Sequence, residues 1–165
     1  MSRSLGRAKP VLGFCTNRRR RPMARLRHFA ISVKDLEASA RFYSQVFDLK
    51  EVGRESNEIG SGVYLSDGVI NLALLSFNGE RGSGLKDAKS FAGPHHFGFQ
   101  VDDLADAQRR IEAAGGTFFF DLGEEQKGNF ERKFKDPDGV IFDISKNGWV
   151  GTDGFSFAHA EAEKD

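Results

Sequence analysis

The sequence predicts an α+β fold in which two β-α-β-β-β modules pair to form one curved sheet around a cleft. The first observation is an internal repeat, because residues 28–41 and 96–109 are identical at six of fourteen positions. The offset of 68 residues suits a duplicated half-domain and is too long for a solenoid repeat. The second observation is that each copy changes from strand-like alternation to helical periodicity. The third is that three further strand-like runs follow each helix.

The first module is expected over residues 25–77. Its first strand places Phe29 and Ile31 on one face and His28 on the other, because successive side chains of a strand alternate. Asp35 precedes an apolar stripe of helical spacing, so its carboxylate is placed to cap a helix that ends near Phe47. Further strands are expected at residues 51–55, 62–65 and 69–77, with a tight turn at 66–68.

The second module repeats this order over residues 94–149, after a polar and glycine-rich linker at 78–93. His96 takes the place of the first histidine, and Asp103 takes the place of the first helix cap. The remaining strands are expected at residues 117–121, 129–135 and 140–146, the last two joined by a turn at 136–139. Residues 23–149 are therefore expected to form a single domain.

Four polar side chains are expected on the cleft face of the sheet. The repeat histidines, His28 and His96, lie opposite the apolar face that the helices cover. Alternation in the later strands brings Asn71 and Asp143 to the same side. Two imidazoles and a carboxylate form a site for a divalent ion such as Fe, Mn, Ni, Co or Zn, with the amide as a weaker oxygen donor. The alternative is that the histidines are hydrogen-bonded structural residues.

Two further residues near this constellation have alternative interpretations. His95 is offset by one residue from His96, so it is expected to point to the opposite face and to act by packing or by orienting a ligand. Glu58 follows the second strand and is a candidate base at the rim of the cleft. The alternative for Glu58 is a solvated loop glutamate.

Charge and composition argue against nucleic acid as the main partner and against a membrane span. Residues 1–22 contain seven basic and no acidic residues, and we expect a disordered tail that is either an organelle transit peptide or the result of a start assigned upstream of Met23. The remaining 17 basic and 24 acidic residues make the folded part acidic, which argues against nucleic acid as a partner. No apolar run is long enough to span a membrane.

Cysteine usage indicates the compartment. The single cysteine, Cys15, lies in the basic tail, so no disulfide can form within the chain. A reducing compartment, the cytoplasm, is therefore expected. Residues 150–165 are glycine-rich and then acidic, and they are expected to form a flexible tail.

Several of these residues together resemble the vicinal oxygen chelate superfamily, which includes glyoxalase I, bleomycin-resistance proteins, methylmalonyl-CoA epimerase and extradiol dioxygenases. The resemblance rests on residues 28–36, on the Arg-Phe-Tyr sequence at 41–43, and on the turn 136–139 with a carboxylate four residues beyond its glycine. It implies paired βαβββ modules, a homodimer and a small-molecule substrate. It also implies metal ligands at His28, Asn71, His96 and Asp143.

Different members of this superfamily catalyse different reactions, and each comparison implies different roles for His28, Asn71, His96 and Asp143. A two-carboxylate proton shuttle of the glyoxalase I kind is unavailable where Asn71 replaces a glutamate, because an amide takes no proton at neutral pH. The epimerase comparison implies Asp143 as a ligand and possible base, with Glu58 as a catalytic base and an enediolate stabilised by the ion. A metal-dependent enzyme of the glyoxalase and epimerase type is the leading hypothesis. One alternative is an extradiol-type Fe(II) dioxygenase that uses His28, His96 and Asp143, and the other is a metal-free ligand-binding protein of the bleomycin-resistance type.

Overall fold

The computed structural model describes residues 24–121 and 131–152, which form eight strands and three helices. The predicted basic tail, Cys15, residues 129–130 of an expected strand, and all but three residues of the predicted acidic tail lie outside this part of the chain. In chain order the elements are β1 (Arg25–Ser32), α1 (Leu36–Phe47), β2 (Lys50–Ser56), β3 (Gly60–Ser66), β4 (Asn71–Phe77), α2 (Glu80–Ser83), β5 (Gly93–Gln100), α3 (Leu104–Ala113), β6 (Thr117–Asp121), β7 (Arg132–Lys135) and β8 (Ile141–Ser145).

All eight strands belong to one mixed sheet, in the order β2-β3-β4-β1-β5-β8-β7-β6. Each half of this order is one module, because the first strand of each module pairs in parallel with its last, β1 with β4 and β5 with β8. The modules join through antiparallel pairing of β1 with β5. The predicted pair of β-α-β-β-β modules in a curved, open sheet is therefore confirmed.

Aspartates cap both long helices. The Asp35 carboxylate accepts a hydrogen bond from the backbone N–H of Ala38 at 2.9 Å, and the Asp103 carboxylate accepts one from Asp106 at the same distance. These bonds satisfy a backbone donor that the first turn of a helix leaves free. The longer helix, α1, has twelve residues, and among the described residues no helix combines the length and apolar character needed to cross a membrane.

The two long helices cover one face of the sheet and leave the other face for the cleft. Buried Leu65 and Leu74 pack with Ala40 of α1, and buried Phe134 and Ile144 pack with residues of α3. Because strand side chains alternate, the residues next to these core positions point to the opposite face. The uncovered face of β4, β7 and β8 therefore supplies side chains to the cleft.

Two segments outside the predicted modules are part of the packed structure. Residues 78–93, expected to be a linker, include the short helix α2, in which Ser83 is fully buried, and the buried Ala88. Residues 150–152, expected to begin the flexible tail, pack against the first module, since Thr152 is buried and forms a parallel bridge with Gly68. The described domain therefore extends three residues beyond Trp149.

Candidate metal centre

The two repeat histidines meet at one point of the cleft face. In the antiparallel pair of β1 and β5, His28 lies opposite Gly98 and His96 lies opposite Ala30. Both imidazoles leave the same side of the sheet, their Nε2 atoms are 3.2 Å apart, and both residues are almost fully buried. The structure thus brings together the histidines of the two modules.

Two carboxylates lie beside the imidazoles. Asp143 in β8 is fully buried, and its Oδ2 is 3.2 Å from Nε2 of His96. Glu131, directly before β7, approaches Nε2 of His28 to 4.0 Å through Oε1. One ligand atom from each of these four residues lies within 4.8 Å of the others. Two imidazole nitrogens and two carboxylate oxygens are a donor set that suits a divalent transition-metal ion.

Hydrogen bonds assign the proton of His28 to Nδ1. The amide nitrogen of Asn71 donates to the carbonyl of Val150 at 2.9 Å, so the amide oxygen is the atom that faces His28. That oxygen lies 2.9 Å from Nδ1 of His28 and can only accept a hydrogen bond. Nδ1 of His28 therefore donates, and the lone pair of Nε2 points into the centre.

A second chain of hydrogen bonds assigns the proton of His96. Nε2 of His95 lies 2.9 Å from the carbonyl oxygen of Ser83, which can only accept, so this nitrogen carries the proton of His95. Nδ1 of His95 then accepts a hydrogen bond from Nδ1 of His96 at 2.6 Å. His96 consequently also presents the lone pair of Nε2 to the centre.

The position of His95 differs from the sequence expectation. The register of β1 and β5 shifts between Ala30 and Ile31, which makes His95 the extra residue of a β-bulge. Strict alternation fails at a bulge, and the ring of His95 lies 4.9 Å from the ring of His96 instead of on the far side of the sheet. His95 does orient a neighbouring imidazole, which is one of the two roles that its sequence position predicts.

Burial keeps both imidazoles neutral. It lowers the pKa of His28, and together with the nearby Lys133 ammonium group it lowers the pKa of His96 well below the ordinary value. A neutral imidazole is the form that binds a metal ion.

A lysine ammonium group lies among the four side chains of the centre. Nζ of Lys133 is 2.7 Å from Oδ2 of Asp143, 3.0 Å from Oε2 of Glu131 and 3.3 Å from Nε2 of His96. Lys133 and Asp143 stand directly opposite each other in the antiparallel pair of β7 and β8, which explains their contact. Burial alone would lower the pKa of Lys133, but the charges of Asp143 and Glu131 outweigh burial and raise it, so the amine is charged.

Trp149 forms the wall behind the centre. Its ring stacks on the ring of His28 with a centroid distance of 4.9 Å and an interplanar angle of 10°, and its Nε1 donates to Oε1 of Glu131 at 2.5 Å. The indole lies directly over Gly98, where an added Cβ would come within 2.5 Å of a ring carbon. Gly98 therefore makes room for the tryptophan that holds His28 and Glu131.

Two residues predicted from the sequence lie outside the group of possible ligands. The amide oxygen of Asn71 accepts a hydrogen bond from His28 and its nitrogen donates one to Val150, so the amide orients the ring of His28 and both of its polar atoms are already hydrogen-bonded. Glu58 lies between β2 and β3, its side chain is 69% exposed, and it pairs with Arg81 and does not line the cavity. His28, His96 and Asp143 are the predicted residues that the structure does bring together.

Glu131 and Lys133 are site residues that the sequence prediction missed. Alternation of side chains within β7 could have identified them. Phe134 is fully buried on the face of the sheet that the helices cover. Lys133, one residue away, must then point to the cleft, and Glu131, two residues further back, points the same way.

A cavity opens from the centre and is lined by both modules of the one chain. Glu55, at the end of β2, reaches it from the first module, and Glu131 and Lys133 reach it from the second. Glu55 is exposed as a whole residue, but partial burial of its carboxyl group raises its pKa; a hydrogen bond from Tyr64 partly offsets this, and the charge of Glu131 adds to it. The apolar part of the wall consists of Ile59, Ala73, Leu75, Phe77 and Phe120.

The centre also contains an unsatisfied oxygen. Oδ1 of Asp143 is buried and has no hydrogen-bond partner within residues 24–121 and 131–152. Leaving such an atom unpaired costs about 1–3 kcal/mol, and more when it is charged. A cation bound by the Asp143 carboxylate would compensate the charge of this group, and it would also accept the two Nε2 lone pairs that face each other. The side chains of the centre therefore fit a divalent metal ion.

A family model and one known protein match most of the domain. The model of the Glyoxalase/Bleomycin resistance protein/Dioxygenase superfamily matches residues 25–144. The ethylmalonyl-CoA/methylmalonyl-CoA epimerase of Cereibacter sphaeroides is 33% identical over 98 residues, which are 56% of this chain and 72% of the relative.

Solved structures of epimerases share the fold. A variant of the Streptomyces coelicolor methylmalonyl-CoA epimerase in complex with 2-nitronate-propionyl-CoA superposes with a TM-score of 0.61 at 23% identity, over 73% of this chain and 94% of that chain. The methylmalonyl-CoA epimerase of Mycobacterium tuberculosis superposes with a TM-score of 0.58 at 20% identity, over 72% and 85%. At these sequence identities, the structural similarity shows that this chain shares the fold of these enzymes.

Proposed function

Because the chain belongs to the glyoxalase/bleomycin resistance protein/dioxygenase superfamily, we propose that it is an isomerase of the epimerase type. It acts on a small acyl-coenzyme A thioester and moves the proton on the carbon next to the thioester carbonyl. The observation that carries the proposal is that Glu55 and Glu131 line one cavity from different modules, beside the buried His28 and His96. Proton transfer next to a carbonyl needs an acid and a base together with stabilisation of the negative charge that forms.

Glu55 is the proposed base. Carbon acids of this kind are weak, so the base must be strong for a carboxylate. Glu55 is an exposed residue that a substrate can reach, and partial burial of its carboxyl group raises its pKa, which makes the carboxylate a stronger base. In one direction of the reaction the proton on the α-carbon passes to Glu55, and the electron pair of that bond moves onto the thioester oxygen.

Glu131 is the proposed acid on the other face of the substrate. Inversion at the α-carbon requires that the proton return from the side opposite the one it left. Trp149 holds Oε1 of Glu131, and Oε2 carries the proton once the ammonium group of Lys133 has left that oxygen, so the carboxyl group keeps one orientation at the cavity wall. In the reverse direction Glu55 and Glu131 exchange roles.

A divalent ion would be held by His28, His96, Asp143 and Glu131. When bound, such an ion would stabilise negative charge on the substrate oxygen. The chain's own contribution is the orientation of the ligands, because Asn71 and His95 fix the tautomers of the two imidazoles. Fe, Mn, Ni, Co and Zn all bind nitrogen and oxygen donors, so the four side chains do not identify which of these ions is bound.

The substrate class is proposed from the relatives and from the cavity wall. The Cereibacter relative is an ethylmalonyl-CoA/methylmalonyl-CoA epimerase, and the Streptomyces enzyme is in complex with 2-nitronate-propionyl-CoA. The apolar side chains of Ile59, Leu75 and Phe77 suit a short alkyl branch on the α-carbon. Methylmalonyl-CoA and ethylmalonyl-CoA are therefore the first substrates to test.

An extradiol-type dioxygenase is the second candidate, because His28, His96 and Asp143 supply two imidazoles and one carboxylate. Such an enzyme would consume oxygen when supplied with Fe(II) and a catechol. Oxygen uptake measured with an electrode distinguishes this reaction from proton transfer.

The test of the proposed function is exchange of the substrate α-proton with solvent deuterium, followed by mass spectrometry. Protein supplied with Co²⁺, Mn²⁺ or Zn²⁺ is expected to exchange the α-proton of at least one of the two thioesters. Glu55→Gln is expected to lower the rate about 100-fold or more, the usual effect of removing a general base. Glu58→Gln is the matched control and keeps the wild-type rate. No exchange by the wild type, or equal rates in Glu55→Gln and the wild type, would contradict the proposal.

A further inference from the structure

We infer that Lys133 competes with the divalent ion for the metal centre. Its ammonium group holds Glu131, Asp143 and His96 in the metal-free protein, and an ion binds there only when that group leaves. The inference rests on the proposed metal-dependent function, but it concerns a side chain to which the proposed proton transfer assigns no chemical step.

The ammonium group of Lys133 occupies the position that a bound divalent ion would need. Lys133 Nζ contacts three of the four side chains that would bind the ion, at 2.7 Å from Asp143, 3.0 Å from Glu131 and 3.3 Å from His96. A transition-metal ion bonds carboxylate oxygen and imidazole nitrogen at about 2.0–2.2 Å. An ion bound to Asp143 and His96 would therefore come almost into contact with the ammonium group, and in a buried site their repulsion is only weakly screened.

The centre also needs a cation when no metal is bound. Asp143 is fully buried, and the side chain of Glu131 is only 18% exposed, so the two carboxylates are largely shielded from solvent. Buried charges are costly unless an opposite charge is near. The ammonium group meets this need, and the register of β7 and β8 keeps it opposite Asp143. In the metal-free protein, Lys133 therefore compensates the charge of the two carboxylates.

This competition makes the affinity for metal lower than the four ligands alone would give. Each ion must displace an ammonium group that already has good hydrogen bonds. Removing the lysine charge should therefore tighten metal binding, whereas removing a metal ligand should weaken it. If Lys133 competes with the ion, its removal strengthens metal binding. If Lys133 only supports the ligands, its removal weakens metal binding.

The experiment is a titration of the full chain with Co²⁺, monitored by the ligand-field absorption of the ion. Lys133→Met and Lys133→Gln are compared with the wild type, because Gln keeps a hydrogen-bond donor without the charge. Lys135→Met is the control, since Lys135 lies on the same strand and packs over the ring of Phe119, 4.4 Å from its centroid. Both Lys133 variants are expected to bind Co²⁺ at least tenfold more tightly than the wild type, and Lys135→Met within twofold of it.

A thermal measurement covers the case in which a Lys133 variant is poorly folded without metal. Co²⁺ is then expected to raise the unfolding temperature of that variant by more than it raises that of the wild type, because the stabilisation by a bound ligand increases with the logarithm of its affinity. Equal or weaker Co²⁺ binding and an equal or smaller thermal shift in both Lys133 variants would overturn the inference. If α-proton exchange persists in that case, the proposed function stands. Absence of Co²⁺ binding in every form, together with absence of exchange, would overturn both.

Discussion

Gly98→Ala should disturb the metal centre from behind, without changing any ligand. Gly98 faces the indole of Trp149, and an added Cβ would lie 2.5 and 2.6 Å from two ring carbons and 3.1 Å from Cβ of His28. Contacts shorter than 3 Å are not tolerated, so either the indole or the strand must move. Trp149 is fully buried, stacked on His28 and hydrogen-bonded to Glu131, so a shift of the ring changes all three side chains.

The expected magnitude follows from these contacts. Overpacking a well-packed core costs about 1–3 kcal/mol, and weakening a hydrogen bond to a charged group costs about 1.5–3 kcal/mol. Because moving the ring relieves the clash at the expense of the hydrogen bond, the two costs do not simply add. We expect a loss of about 2–4 kcal/mol in the free energy of unfolding.

The assay is urea denaturation followed by tryptophan fluorescence. Trp149 is the only tryptophan of the chain, so the emission of the folded protein reports on this ring alone. Gly98→Ala is expected to unfold at lower urea concentration and to show a shifted native emission spectrum. The control is Gly79→Ala, where an added Cβ meets nothing within 4 Å. A Gly98→Ala protein with wild-type stability and wild-type emission would refute the packing described for the centre.

Two further predictions concern the imidazoles. Asn71→Ala removes the acceptor of the His28 Nδ1 proton and should weaken Co²⁺ binding about 10–100-fold, the usual effect of losing a residue that orients a ligand. Asn78→Ala, an exposed control whose amide donates to the Glu58 carbonyl, should leave the affinity unchanged, and equal affinities in both variants would contradict this role for Asn71. The pKa values of His28 and His96 are lower in the folded protein than in the unfolded chain. As the pH falls, these histidines are therefore protonated at a higher pH in the unfolded chain than in the folded protein. The free energy of unfolding of the metal-free protein should therefore fall below about pH 6.5, by at most about 1.4 kcal/mol per pH unit for each histidine. Urea denaturation at several pH values measures this slope, and stability that does not change between pH 7 and pH 5 would count against neutral buried imidazoles.

The fold could be predicted from local patterns because its two halves repeat them. Asp35 and Asp103 cap helices that begin at equivalent places, and alternation in the first strands separates the apolar face from the histidine face. The homodimer implied by the family resemblance stays a prediction.

The site was less predictable, because it depends on register between strands that are distant in sequence. Asp143 could be placed by alternation, but its partner Lys133 stands opposite it only through the pairing of β7 with β8. The bulge at His95 breaks strict alternation and brings two adjacent histidines into contact. Asn71 has the right face for a ligand, yet the Val150 carbonyl, 79 residues away, turns its amide oxygen toward His28. Glu55 and Glu58 are three residues apart, and only the end of β2 decides which one reaches the cavity.

The most direct test is a Co²⁺ titration of the wild type beside His28→Ala and His96→Ala, with spectra recorded to saturation. A shared centre predicts one ion per wild-type chain, with nitrogen ligands, and loss of that ion in each single variant, because both modules contribute a ligand. If either variant still binds Co²⁺ with wild-type affinity and spectrum, the two histidines do not form one metal centre.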